Sequence, residues 1–399
     1  MFTSEKEKNN FFNSLFKNNL TKRHGKQFNK YHLEKDYSSE NIKKSETNSK
    51  QSIHLLQHII NTTQDKGILN DCLLHLISGM HMTGVTYQHL GRYQESMEFI
   101  KTIHNYLNKY KDELIYTNGI LKIKNGKNIS INIYLLEGLI NLSLKNFKDG
   151  FNGLDARFLN KDWYLMAPCE KFVKEIELCK SRKDLNNLKE DDKVIIVYEQ
   201  GIGDNFQFMR FAIELCREFP HIQFTLLIAK NIVHLFTIKE INITLMGYTL
   251  NEKYYFKKND YKYKIFITSC PKMLEIDSIS PYKGKCYIKK DRTIIKKWKE
   301  KLKNLPGIKV GLFHDGFFGT HNEKKIDLSY FKEISDLDIS IISLHRDEIK
   351  GTLKNYHKYD IDKSEAFSDT IGILKNIDLL ITVDSSIAHL GGCLNIPTW

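Results

Sequence analysis

The sequence predicts a helical N-terminal region followed by two α/β halves of Rossmann type. Two observations carry this expectation. From about Ser52 to Arg157, apolar residues recur with a helical period, and small and aromatic residues fall on one grid twice over. From about Val194 onward, short unbroken apolar runs alternate with amphipathic stretches, as parallel strands alternate with crossover helices. Residues 1–51 stand apart: they are rich in Lys, Asn and Ser, with isolated pairs such as Phe11-Phe12, and read as a mobile leader that carries a short helix at most.

Composition sets the outer limits. A chain of 399 residues with 41% hydrophobic and 27% charged side chains has core material for two or three domains. The strongest apolar run, around Ile377–Val383, is strand-sized, well short of the ~18 residues that span a bilayer. The N-terminus has no apolar signal segment, so a cytoplasmic protein without a membrane span is expected. The net charge of +12 is concentrated in residues 1–50 and 281–310. Only eight of the 60 basic residues are Arg, the side chain suited to bidentate base or phosphate readout, so no specific nucleic-acid binding is expected. Seven scattered cysteines form no C-x-x-C pair, which speaks against a zinc ribbon or a disulfide scaffold.

In the helical region, Met80, Thr83-Gly84, Tyr87, Gly91, Tyr93, Ser96, Ile100 and Ile103 fit the spacing of a tetratricopeptide repeat. Small residues let helix axes approach, Gly91 ends the first helix, and the aromatics fill the gap. The same grid falls on Tyr134, Glu137-Gly138, Asn141, Lys145, Phe147, Gly150, Leu154 and Arg157. Between them, Lys109–Asn128 is polar with two Asn-Gly steps and reads as a loop or hairpin insertion. The helical region with its connection is placed at 52–189. The first Rossmann-like half is placed at 190–290, with strands at Val194–Tyr198, Phe224–Ala229, Ile241–Met246 and Tyr263–Ser269 and a helix at Phe206–Phe219. A basic amphipathic helix, Asp291–Leu305, with its lysines toward solvent, fills the link at 291–307. The second half, 308–399, has strands at Lys309–His314, Ile339–Leu344 and Leu379–Val383.

Three segments coincide with one family: Asn146-Phe147-Lys148-Asp149-Gly150-Phe151 through Arg157, Glu199-Gln200-Gly201-Ile202-Gly203-Asp204 through Phe211, and Asp378-Leu379-Leu380-Ile381-Thr382-Val383-Asp384-Ser385-Ser386-Ile387-Ala388-His389. Together they resemble tetratricopeptide-repeat proteins with a C-terminal domain similar to glycosyltransferase family 9, the heptosyltransferases. Val310 to Gly316 is similar to the strand that opens the second half of that family, although His314 stands where a Trp is common and Lys325 where an Arg is common. The resemblance implies a GT-B fold, with the acceptor on the first half and a nucleotide-diphosphate sugar donor on the second. It implies no other cofactor, and a protein or glycan acceptor held by the repeats. It also implies a further strand and closing helices after Pro397-Thr398-Trp399, so the second half is expected to be incomplete.

The candidate site residues follow from chemistry at strand ends. Asp204 sits at a Gly-rich turn, where the resemblance makes it the base that takes the acceptor hydroxyl's proton; a helix cap explains it as well. Gly201 and Gly203 let the backbone approach a ligand or take positive φ, or they simply form the turn. Asp384, Ser385, Ser386 and His389 place ligand-competent groups where a strand runs into a helix whose first-turn amides suit a diphosphate; the other reading is an N-cap with a core-facing histidine. His314, Lys324, Lys325 and Arg346 follow strand ends and would neutralise a leaving diphosphate, or they are solvated surface residues. No D-x-D or histidine cluster points to a metal, so metal-independent chemistry is expected. The function expected is glycosyl transfer. The alternative is a catalytically inactive repeat protein that binds a partner through a degenerate transferase domain.

Overall fold

The computed structural model describes residues 39–124, 128–159, 167, 169–238, 240–249, 251, 255–282, 286–316, 325–346 and 353–399. Residues 1–38 of the predicted leader, and Lys324, lie outside the described residues. The chain divides into two compact units, 1–161 and 162–399.

The first unit contains α1 (Ser39–Thr62), α2 (Lys66–His89), α3 (Tyr93–Lys109), β1 (Leu114–Thr117), β2 (Ile120–Ile123), β3 (Asn128–Ser130), α4 (Ile133–Ser143) and α5 (Phe147–Leu154). Asp65 caps α2 by accepting from the Gly67 and Ile68 amides at 2.8 and 3.0 Å. Gly91, at φ +73°, makes the turn into α3. The Ser96 hydroxyl donates to the Gly84 carbonyl at 2.6 Å, and the Tyr87 and Phe99 rings meet edge-on at 5.6 Å. The second hairpin is tighter: a Cβ on Gly138 would lie 2.7 Å from the carbonyl carbon of Gly153. Leu73, Leu76, Ile77, Ile100, Ile103 and Ile133 form a core with no solvent exposure. The polar segment between the hairpins is an antiparallel sheet of order β1-β2-β3, and Asn118-Gly119, both at positive φ, make its first turn.

The leader expectation fails at its C-terminal end. Residues 39–51 are the start of α1, and the Glu46 carboxylate accepts from Tyr87 Oη at 2.7 Å and from Arg92 at 2.9 and 3.2 Å. Glu46 also pairs with Lys50, and composition does not distinguish such an ion-paired stretch of helix from a mobile segment.

The second unit carries two four-stranded parallel sheets. The first consists of β4 (Lys193–Val197), β5 (Gln223–Ala229), β6 (Ile243–Tyr248) and β7 (Tyr263–Phe266) in the order β6-β5-β4-β7, with α7 (Ile202–Glu218) after β4. A one-turn α6 (Arg182–Asn186) precedes this sheet, and α8 (Cys270–Met273) follows it. The second sheet consists of β8 (Ile308–Phe313), β9 (Ile339–Ser343), β10 (Tyr356–His357) and β11 (Leu379–Thr382) in the order β10-β9-β8-β11. Its helices are α9 (Arg292–Leu302), α10 (Lys332–Ser335), α11 (Ser368–Leu374) and α12 (Ser386–Cys393). Each sheet reads third, second, first, fourth strand, so each has a switch point beside its first strand: β4/β7 and β8/β11. Residues 397–399 run parallel to β11, with Leu380 N donating to Pro397 O and Trp399 N to Leu380 O at 2.8 and 2.9 Å, and so take a fifth place in the second sheet.

Several boundaries move. Residues 169–189, expected with the helical region, pack on the first sheet: Leu178 bridges Lys264 in parallel, and Phe172, Val173, Ile176 and Leu185 are buried. Helix α7 begins four residues earlier than Phe206. Strand β6 starts at Ile243 rather than Ile241, which is fully exposed. Helix α9 ends at Leu302, ahead of Gly307 at φ +62°. Its lysines 296, 297, 299 and 301 are exposed, while Trp298 is fully buried against Gly372 and donates to Asp369 Oδ1 at 2.7 Å. Truncating such a tryptophan costs about 3–5 kcal/mol, so α9 is anchored to the second half. No described helix is long and apolar enough to cross a membrane.

Candidate active site

The first part of the site is the turn after β4. Glu199 is completely buried and accepts from the Thr268 backbone N–H at 3.2 Å and from the Thr268 hydroxyl. Thr268 follows β7, so this carboxylate joins the ends of β4 and β7 at the switch point. Gln200 then adopts φ +61°, an uncommon conformation for a residue with a Cβ. Gly201, at φ −84°, is the N-cap of α7. The positive φ expected at Gly201 or Gly203 therefore falls on Gln200. Asp204 lies in the first turn of α7, and its Oδ2 accepts from the Gly201 N–H at 3.0 Å. Buried Asn205 donates to the carbonyls of Glu199 and Gly201 at 3.1 and 2.7 Å and closes the turn.

The second part is the turn after β11. Val383 N donates to Phe313 O at 2.9 Å, and α12 begins at Ser386. Ser385 is the N-cap but makes no side-chain cap bond; its hydroxyl lies 3.2 Å from that of Thr382. Asp384 is exposed, and Ser385, Ser386 and His389 are half-buried.

The two turns meet. A Cβ on Gly203 would lie 2.8 Å from His389 Cδ2 and 3.2 Å from Ser386 Cα. Close approach of two backbones is thus the requirement for glycine at 203. Cys393 of α12 also lies 3.3 Å from the Phe206 carbonyl, and Tyr287 donates to that same carbonyl. Burial raises the pKa of the Asp204 carboxyl above its ordinary value, and Asp384 adds to the rise; the Gly201 amide and His389 oppose it. A carboxylate so placed is a stronger base than one in water.

The remaining candidates follow β8 and β9. The His314 ring is buried, with Nδ1 at 2.7 Å from Ile326 O, and packs on His345 and Phe331. His345 Nε2 accepts from the His314 N–H at 3.1 Å, and burial with the adjacent His314 pushes its pKa down to about 3. Lys325 pairs with Asp315 at 2.7 Å. Among the described residues, no hydrogen bond or ion pair joins His314 or Lys325 to Asp384–His389. Arg346 is exposed. Conversely, the sequence analysis quotes Glu199 and Asn205 within the Glu199–Phe211 segment and Thr268 within a predicted strand, but assigns none of them a role. The only signal was an acidic residue at the end of an apolar run, and its partner lies 69 residues away. Among the described residues, no three His, Cys, Asp or Glu side chains gather as a metal ion would need.

Residues 162–399 thus define a class: an α/β protein with paired Rossmann-type sheets whose switch-point turns come together. No family model matches the sequence, and no curated protein matches it. Among solved structures, the chain is similar to a glycosyl transferase family 9 protein from Veillonella parvula, with a TM-score of 0.39 and 13% identity over 53% of this chain and 81% of that one. It is also similar to TibC, an iron-containing dodecameric glycosyltransferase from enterotoxigenic E. coli, with a TM-score of 0.36 and 10% identity over 53% of this chain and 58% of that one.

Proposed function

We propose that residues 162–399 form a GT-B-type glycosyltransferase module that moves a sugar from a nucleotide-diphosphate sugar to an acceptor hydroxyl. The observation that carries this reading is the meeting of the Gly201–Asp204 turn with the Ser385–His389 turn, which sets a carboxyl of raised pKa beside a helix start. In the reaction, the acceptor oxygen bonds to the anomeric carbon as the bond to the diphosphate breaks, and the hydroxyl proton passes to Asp204. At the start of α12 the Ala388 N–H donates to the Ser385 carbonyl, which leaves the Ser386 and Ile387 N–H groups, with their partial positive charge, to suit the leaving diphosphate. The Ser385 hydroxyl, which makes no cap bond, Ser386 and His389 add polar contacts. The helix hairpins of the first unit are read as tetratricopeptide-like and would hold a protein or glycan acceptor.

A second reading is favoured by the same contact. Gly203 already touches Ser386 and His389, so a diphosphate enters there only if the two halves part. A protein that never opens would be a binding protein with a degenerate transferase domain. Calorimetry with nucleoside diphosphates and nucleotide sugars separates the two. The transferase reading expects binding that a Ser385→Ala/Ser386→Ala variant weakens; equal affinity in both proteins, or no binding, leaves the binding-protein reading.

A further inference from the structure

A cavity of about 450 Å³ lies on the flank of α7, away from Asp204. This volume is within the range of small-molecule sites. Arg210, Ile213, Glu214 and Arg217 line it from one face of α7, and Cys286, Tyr287 and Lys290 line it from the segment that leads to α9. Arg210 is six residues beyond Asp204, about 9 Å along the helix axis and on a different face.

The charges in this cavity are unevenly matched. Arg217 is neutralised by Glu240, 2.7 Å from its Nε, and by Glu214. That pairing accounts for both carboxylates that line the cavity. Arg210 and Lys290 have no carboxylate partner among the described residues. The Arg210 Nε–H is buried with no hydrogen-bond partner, Nη1 makes one long bond, 3.4 Å, to the Tyr282 carbonyl, and the guanidinium also acts on the neighbouring Tyr287 and Cys393. A buried guanidinium N–H left unmade costs free energy that an acceptor recovers once the side chain turns to meet it. Three cations against two carboxylates leave the cavity one positive charge in excess, which suits an anion, and the planar guanidinium suits a phosphate. Ile213 and Ile288 supply apolar wall for the body that carries it.

We propose that this cavity is a binding site for a phosphate monoester of small-metabolite size, held by Arg210 and Lys290. It stands independently of the glycosyltransferase reading. The molecule supplies its own reporter: six of the seven cysteines are buried, and the half-exposed one, Cys286, lines the cavity. The test is the rate of Cys286 alkylation in the full chain at constant ionic strength, with glucose 6-phosphate, inorganic phosphate or glucose added. Glucose 6-phosphate is expected to slow alkylation and glucose to leave it unchanged. Protection by inorganic phosphate as well would show that the phosphate group suffices; protection by the ester alone would show that its body contributes. The concentration for half-protection should rise about tenfold or more in Arg210→Gln and in Lys290→Glu, as for loss of a charge-assisted hydrogen bond, and stay unchanged in Ser385→Ala. Lys290 is exposed, so its variant keeps the fold if Arg210→Gln does not. No protection by either phosphate, or equal protection in wild type and Lys290→Glu, overturns the site. Protection lost in Ser385→Ala but kept in Lys290→Glu would place the ligand at the other site and overturns it too.

Discussion

Replacing Gly203 with alanine tests whether the two switch-point turns are in contact. The backbone at 203 is not in the positive-φ region, so the effect is one of space alone. The new Cβ would meet His389 Cδ2 at 2.8 Å, Ser386 Cα at 3.2 Å and Ser386 N at 3.4 Å. Ordinary carbon contacts are ~3.5–4.0 Å. The imidazole can swing aside; the Ser386 backbone moves only with α12. Overpacking of this kind costs about 1–3 kcal/mol. Alanine recovers up to about 1 kcal/mol of helix propensity, less in a first turn. The net expectation is a loss of about 0.5–2 kcal/mol, or about 1–8 °C in the melting midpoint at ~2–4 °C per kcal/mol. The assay is thermal and urea unfolding of wild type, Gly203→Ala, His389→Ala and the double variant. Residues in contact should couple by about 0.5 kcal/mol or more, the histidine deletion relieving part of the alanine penalty. If Gly203→Ala is as stable as wild type, or the two changes add within ~0.3 kcal/mol, the turns are not packed as described.

Three further outcomes are expected. Asp204 has a raised pKa in the folded protein, so its contribution to stability is full below the unfolded pKa and is lost as pH rises through the folded one. Asp204→Asn should therefore gain stability relative to wild type between pH 3 and pH 7 in urea titrations, and a pH-independent difference would contradict this; if the module is active, the same change should cut turnover by ~10²–10⁴-fold. Gln200→Gly should stabilise by about 0.5–1 kcal/mol in chemical denaturation, because glycine removes the positive-φ penalty at some entropic cost; a loss of stability would mean that the Gln200 side chain has a packing role. Glu46 is held down at about 2, chiefly by hydrogen bonds from Arg92, then Lys50 and Tyr87, so its contribution is present above the usual value of 4.5 and fades as pH falls toward 2. Glu46→Gln should cost about 1–2 kcal/mol at neutral pH, allowing for solvent screening, and only a small fraction of that near pH 2, where about half of the carboxyl is protonated; an equal cost at both would assign the effect to packing.

The sequence by itself determined the elements whose causes are local. The unbroken apolar runs at Val194, Phe224 and Ile339 are buried strands, and Gly91 turns α2 into α3. Strand periodicity, caps and positive-φ turns act within a few residues, so a window of sequence contains the whole cause. The tertiary structure decided the rest. Gly201-Ile202-Gly203-Asp204 is a poor helix sequence, yet it opens α7, because Asp204 reaches back to the Gly201 amide, Asn205 ties the turn, and α12 packs against Gly203. The His314 ring packs beside His345, 31 residues away, just past the end of the neighbouring strand β9. Residues 169–189 join the first sheet through Lys264, and Glu199 finds Thr268 across the switch point. Apart from the Asp204 and Asn205 bonds, which lie within four residues of Gly201, these contacts pair groups far apart in the chain, and only a folded backbone brings them together.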